Sequence, residues 1–571
     1  MNEHTSVPAT PTPPPYYGAS PVYPPTYSAP PRPPKPLLPL GKGDTAFAVA
    51  AVAVCILWSA LGLFGGMALG YLLSVVAVMI LMSLYLARGG RPTAFSVVCG
   101  VLALGLGAVF LCTSNGSVRF YSTIVSFLLG LCCFHSMTVG SVKGNRQTAG
   151  IFYTAAATTG NLGVAIKSLF SNEKGEKRAI GKALLGLACS LPVLVIILPL
   201  LISSDDAFRG MMDTLFSDGA TLFIKCVFGV GMAFLVVAYG LSLKHRRTAA
   251  LGESKFTGIE GVYILSFLSV ISVIYVMYLF SQLAYFFSAF RGFLPEGDIT
   301  VAQYARTGFF EMSAIALINL GLVIAAMLLA KKKNGKVGHP IKAVCTFISL
   351  FTLLIIATAL SKMVLYIDSF GMTELRLTTS AFMVFLAVVF VATILRIYLC
   401  PINVVKTALL TAGVLLLVLG VGNVNAFCAR YNYEAWQSGA LEEIDAEALY
   451  HLGPEGIPYL VKLAESPDLN ASGSAQNYLS YAYELRYFEY EGNHPPRTVP
   501  LLKQAEENPA FSYYSIPREE AYRCLYQFYE THPDFIEYYW PSEPDDSWED
   551  EYPDEYDDDN GVWESGTDYY E

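Results

Sequence analysis

Long apolar blocks alternate with short charged stretches along most of this chain. The blocks fall at about residues 46–64, 67–86, 94–112, 121–139, 183–203, 222–243, 260–287, 309–330, 343–361, 379–395 and 404–422. Most are close to twenty residues, the length that crosses a hydrocarbon core ~30 Å thick at ~1.5 Å per residue. The charges inside these limits, Lys225, Glu260, Glu311 and Lys406, sit at block ends. The pattern predicts an all-α fold, a polytopic transmembrane helix bundle of about eleven spans. Ile151 to Phe170 is rich in Ala, Thr and Gly and carries Lys167, so it reads as an interfacial or re-entrant segment.

Outside the blocks the chain changes character. The first 40 residues hold 14 prolines, in runs that no helix tolerates, and residues 1–44 are expected to form a polyproline II or disordered tail. The bundle occupies 45–422. Residues 423–541 carry helix signals, over Leu441–Leu452, from Pro454 through Ser466, over Ser474–Tyr490 and over Arg518–Thr531, and predict a small soluble helical region. Residues 542–571 are almost all Asp, Glu, Tyr and Trp and read as a disordered acidic tail.

The net charge of −10 conceals a division, because residues 423–571 hold 32 of the 47 acids and only 7 of the 37 bases. Acidity here therefore describes a tail, and nothing points to nucleic acid. With a cytoplasmic N-terminus, the inside segments hold 23 of the 30 bases before residue 423. The positive-inside rule selects that orientation. Eleven spans then place the C-terminus outside the cytoplasm, in a multi-pass protein of the cell membrane.

Candidate chemistry is sparse. Nine of the eleven cysteines lie in or beside apolar blocks; the spacing leaves a bridge between the other two, Cys428 and Cys524, open. No Cys/His cluster has zinc spacing, and no GxxxxGK[ST], GxSxG or HExxH string occurs. No metal, cofactor or catalytic residue is expected. Asp557 to Asp559 before Asn560-Gly561 glances at a calcium loop, but Tyr556 and Thr567 would then be its first and last ligands, so a solvated acidic run is the better reading. Pro192, Pro199 and Asn319 inside spans read as packing features, and His135 as a satisfied core histidine.

One polar set stands out. In the selected topology Asp205, Asp206, Tyr304, Arg306, Glu311, Lys362, Tyr366, Asp368, Glu374 and Arg376 all approach the outer face. They either line an outward-facing pocket, with Arg306, Lys362 and Arg376 holding a lipid phosphate or a carboxylate, or pair with one another and anchor helix ends. The second use is the commoner.

Several stretches resemble an uncharacterised bacterial membrane family, domain of unknown function 4173, together with its relative 4153. They are Leu191-Pro192 through Ser204-Asp205-Asp206-Ala207-Phe208, then Leu294-Pro295-Glu296-Gly297 and Tyr304-Ala305-Arg306-Thr307-Gly308-Phe309-Phe310-Glu311. Tyr366-Ile367-Asp368, Leu375-Arg376-Leu377 and Ala429-Arg430-Tyr431-Asn432 extend the likeness, which covers about residues 180–470. The resemblance implies a protein of the bacterial cell envelope and carries no activity.

Two functions follow. In the favoured one, the bundle is an envelope-associated sensory, scaffolding or interaction protein, with protein partners for the external helices and for the head, where Pro13-Pro14-Pro15-Tyr16 has the form of a ligand for proline-reading domains. In the alternative, it transports or modifies a lipid or small anionic envelope solute through the outer polar layer.

Overall fold

A helix satisfies its backbone hydrogen bonds internally, so apolar blocks of this length have one solution in a bilayer. The computed structural model adopts it. It describes residues 40–63, 68–87, 89–139, 197, 219–245, 258–291, 309–332, 337–399, 402–490, 514–533 and 535. Among these, ten helices are long and apolar enough to cross a membrane. They are α1 (Lys42–Leu57, continued by a π-helical turn over Trp58–Leu63), α2 (Leu69–Leu86), α3 (Ala94–Cys112), α4 (Gly116–Val139) and α5 (Gly219–Lys244), followed by α6 (Gly261–Arg291), α7 (Phe309–Leu329), α8 (His339–Phe370), α9 (Glu374–Tyr398) and α10 (Val404–Val421).

Ten of the eleven predicted spans thus have their helix. The block at 183–203 and the segment 151–170 lie outside the described residues, residue 197 excepted, as do the Pro-rich head and the acidic tail. The helices overrun the apolar blocks. α8 takes in Lys342, Lys362 and Asp368, and α9 takes in Glu374, Arg376 and Arg396. Charges near helix ends reach the interface along their aliphatic stems and so do not stop a helix. Leu84, Val262 and Phe280 are more than two-thirds exposed, as expected of helices that face lipid.

Contacts between helix ends define two faces. At one, the start of α1 meets the ends of α2 and α5 through Asp44, Tyr85 and Lys244. The end of α4 lies there too, Met137 O accepting from Arg91 N. Gly258 joins the same face: Ile259 N donates to Leu329 O at the end of α7, Ile259 O accepts from Lys331 N, and a Cβ on Gly258, at φ 85°, would lie 2.7 Å from Lys331 Cα. Only glycine fits that approach. Lys42, Arg91, Lys244, Lys331, Lys332, Lys342, Arg396 and Lys406 make this the basic face, against Asp44 and Glu260.

The chain after α10 lies at the other face. Asn423 turns it in a left-handed conformation (φ 49°) and caps α11 (Val424–Gln437) by accepting from Ala426 N. Then come α12 (Ala446–His451), a 3-10 turn over Gly453–Glu455, α13 (Ile457–Ala464), α14 (Leu469–Tyr490) and α15 (Ile516–Thr531). The expected helix from Leu441 begins instead at Ala446, because Asp445 accepts from Ala448 N and sets the cap there. Pro454 opens only the 3-10 turn, and Pro458 stands at the start of α13.

Four cores result among the described residues. One is shared by α1 to α5 and α10 and reaches Cys428 on α11. α6 to α9 enclose two more. The helices after α10 have their own core, from Ala429 and Leu449 to Phe528 and Tyr529.

Candidate functional site

The richest polar geometry among the described residues is the seam between the bundle and the helices after α10. α3 ends at Cys112, leaving its last carbonyls without intrahelical partners. Arg119, one turn into α4, reaches back to satisfy them: its Nε donates to Thr113 O at 2.7 Å and its Nη2 to Phe110 O at 3.1 Å. Above that turn sits Glu455, 4% exposed. Its carboxylate accepts from Ser114 N at 2.7 Å, from Thr113 Oγ1 at 3.3 Å and from Ser114 Oγ. A cation and an anion thus bracket the α3–α4 turn.

Asparagines extend the seam. Asn115 Nδ2 donates to Asn425 Oδ1 at 2.7 Å, Asn425 Nδ2 donates to Leu452 O at 2.9 Å, and Asn423 Nδ2 donates to Cys112 O at 2.8 Å. A second clamp holds α11 to the α8–α9 turn. Asn432 accepts from Met372 N at 2.6 Å and donates to Met372 O at 2.8 Å. Gly371 makes room, since a Cβ there would lie 2.6 Å from Asn432 Oδ1. A third contact runs from Leu69 N, at the start of α2, to Tyr514 O. Two turns of the bundle and the start of α2 therefore grip one helical unit.

Of the polar set singled out in the sequence, Glu311, Lys362, Tyr366, Asp368, Glu374 and Arg376 lie on this face of the bundle, at or near helix ends. Asp205, Asp206, Tyr304 and Arg306 lie outside the described residues. Arg376 is committed locally: its Nη1 donates to Phe370 O at 3.0 Å and to Gly371 O, and its guanidinium lies 4.0 Å from the Tyr366 ring centroid. It closes the end of α8 while stacking on an aromatic face. Three of the family-like stretches, at 366–368, 375–377 and 429–432, meet around the α8–α9 turn.

The unit also carries a half-buried aromatic cluster, Trp436 and Tyr459 of which pack against its core, with a cation beside it. The Tyr433 ring lies 5.7 Å from Tyr459 and 6.1 Å from Trp436, with Lys462 Nζ 4.8 Å from the Tyr459 centroid. Arg430 pairs with Glu434 at 2.7 Å beside them. Cys428 and Cys524 are both free, which resolves the open pairing. Burial, helped by Glu374, pushes the Cys428 thiol up to about 12. No group of three or more metal-ligating side chains occurs among the described residues.

Two span residues behave differently. Asn319, fully buried, accepts from Tyr275 OH at 2.6 Å and donates to Thr352 Oγ1 at 2.9 Å, tying α6, α7 and α8 together. His135 corrects an expectation: its Nδ1 is buried with no hydrogen-bond partner, so it is not a satisfied core histidine.

A family model described as Domain of unknown function (DUF4153) matches residues 46–463. This is the relative named with the resemblance, and the match begins well before residue 180. No curated protein and no solved structure shows a significant match.

Proposed function

Because the chain belongs to the family of the Domain of unknown function (DUF4153), whose name carries no activity, we propose from the seam itself that it is a membrane scaffold of the cell envelope. In this reading the bundle holds the α11–α15 unit in a fixed pose outside the cytoplasm, where it meets envelope proteins. The observation that carries it is Glu455: a carboxylate 4% exposed, accepting from two residues of a bundle turn, is an expensive way to tether a unit that needed only a flexible linker. The Tyr433, Trp436, Tyr459 and Lys462 cluster supports an interaction role, since Tyr, Trp and basic groups beside them recur at binding hot spots. The bases at the opposite face support a cytoplasmic side there, with the Pro-rich head.

Protease shaving of intact cells or protoplasts, with one tag after Glu571 and one before Pro8, tests the sidedness. Loss of the C-terminal tag alone supports it, and protection of that tag overturns it. The scaffold is tested by a photo-crosslinking residue at Tyr459 in the full chain. Discrete protein adducts that disappear in Glu455→Ala support a held pose; adducts unchanged by Glu455→Ala refute it.

A second reading, binding of an anionic envelope lipid or solute at the outer polar layer, draws support from the gathering of Glu311, Lys362, Asp368, Glu374 and Arg376 near one face. Thermal stabilisation of the purified protein by phosphatidylglycerol, abolished by Arg306→Ala, is its test.

A further inference from the structure

α1, α2, α4 and α5 line two cavities, one nearer the basic face than the other. The deeper one measures about 420 Å³, inside the range of ~300–1,000 Å³ found for small-molecule sites. On α2 it runs from Tyr71 to Met82 and on α4 from Thr123 to Phe134. The ends of each stretch are eleven positions apart, ~16 Å at ~1.5 Å per residue, or about half of a ~30 Å hydrocarbon core. Met79, Met82 and Met232 line it, side chains that adapt to an irregular apolar guest. Tyr71, 6% exposed and stacked on Phe110 at 3.9 Å, stands at the end away from the basic face.

The upper cavity, about 680 Å³, lies at the basic face between the same helices, its lining about one turn further on: Thr138 follows Phe134, and Leu243 follows Tyr239. Lys244 lines it, its side chain 39% exposed, directed by the buried Asp44. An ammonium has three donors; one meets Asp44, which leaves donors for an anionic oxygen at the mouth.

We propose that these four helices hold one phospholipid from the leaflet at the basic face, an acyl chain in the lower cavity and its phosphate at Lys244. An apolar cavity at this depth excludes water, and the bilayer supplies the guest. The site is independent of the docking seam. Its chemistry selects a chain of one leaflet's length with an anionic head, and orients it with the methyl end toward Trp58.

Trp58 lines the lower cavity and is the single tryptophan before Trp436, so it is the reporter inside the bilayer. It stands 16 residues after Lys42, ~24 Å from the basic face at ~1.5 Å per residue. There, lipids surrounding the protein in the far leaflet would present the upper part of their chains. The full chain is reconstituted in vesicles of phosphatidylglycerol brominated near either the carboxyl end or the methyl end of the chain, and Trp58 quenching is measured. Methyl-end bromine should quench at least twofold more strongly. Gly130 lines the same cavity, and a Cβ there meets nothing within 4 Å, so Gly130→Leu fills the cavity from within; it should cut methyl-end quenching at least threefold. Stronger quenching from carboxyl-end bromine, in the unaltered chain, overturns the proposal. So does a folded Gly130→Leu variant that is quenched as before.

Discussion

Replacing Glu455 by Ala removes the carboxylate that caps the α3–α4 turn. The half-buried N–H and hydroxyl of Ser114 and the buried hydroxyl of Thr113 lose their acceptor together. Each hydrogen bond to a charged group contributes about 1.5–3 kcal/mol net, and an orphaned buried donor costs about 1–3 kcal/mol. These terms overlap, and water enters the end of a bundle more readily than its middle, so about 3 kcal/mol is the expected loss in docking. At ~1.4 kcal/mol per decade, the released form of the unit rises roughly a hundredfold. Glu455→Gln keeps the volume and one carbonyl oxygen for Ser114 N, but its amide nitrogen cannot accept from Ser114 Oγ, and it should cost about 1–2 kcal/mol, less than the Ala variant. The assay is amide hydrogen exchange on the protein in nanodiscs, which reads the opening equilibrium segment by segment. Protection should fall in that order around Ser114 and across α12 and α13, with the α6–α8 amides unchanged. Unchanged protection at Ser114 in the Ala variant refutes the reasoning, and uniform loss across the bundle refutes the view of the seam as a local joint.

Arg376→Lys keeps the charge but cannot reach both Phe370 O and Gly371 O or stack flat on Tyr366; it should lower stability by about 1 kcal/mol with no ligand present, whereas an unchanged melting temperature would point away from a structural clamp. Asn319→Leu removes two interhelical hydrogen bonds in the membrane and should cost about 0.6–1.7 kcal/mol, measured by unfolding in mixed micelles; a gain in stability would contradict the packing role. With the Cys428 thiol pushed up to about 12, thiolate is scarce at pH 8, and maleimide should label this residue only after unfolding, where the pKa returns to ~8.5. Labelling of native Cys428 should climb with pH rather than plateau near pH 9; a plateau there would mean the thiol is not buried.

The spans were legible because their signal is local: some twenty apolar residues announce a helix whatever surrounds them. The capping residues were partly legible, and Asp445 marks a helix start by its own chemistry, although the apolar spacing of Leu441–Leu452 suggested an earlier one. The seam was not legible. Ser114 and Glu455 are 341 residues apart, and Met372 and Asn432 are 60 apart, so only the finished topology brings them together. Asn432 lies in a stretch singled out by resemblance, but nothing in that stretch pointed to Met372, and Arg430 in the same stretch pairs on the surface with Glu434. Arg376 was noticed for its charge; its use as a helix cap depends on where α8 stops, which the apolar block put near residue 361 rather than at Phe370.

The pairing of Asp44 with Lys244 sets a timetable for biosynthesis. The two residues are separated by 200 positions, and ribosomes add about 5–20 residues per second. The carboxylate of the first helix therefore waits roughly 10–40 s for its partner. Until then α1 enters the lipid with an unneutralised charge at its boundary, held by the insertion machinery or by transient water. A chain that stalls before Lys244 keeps that carboxylate at the membrane edge without its lysine.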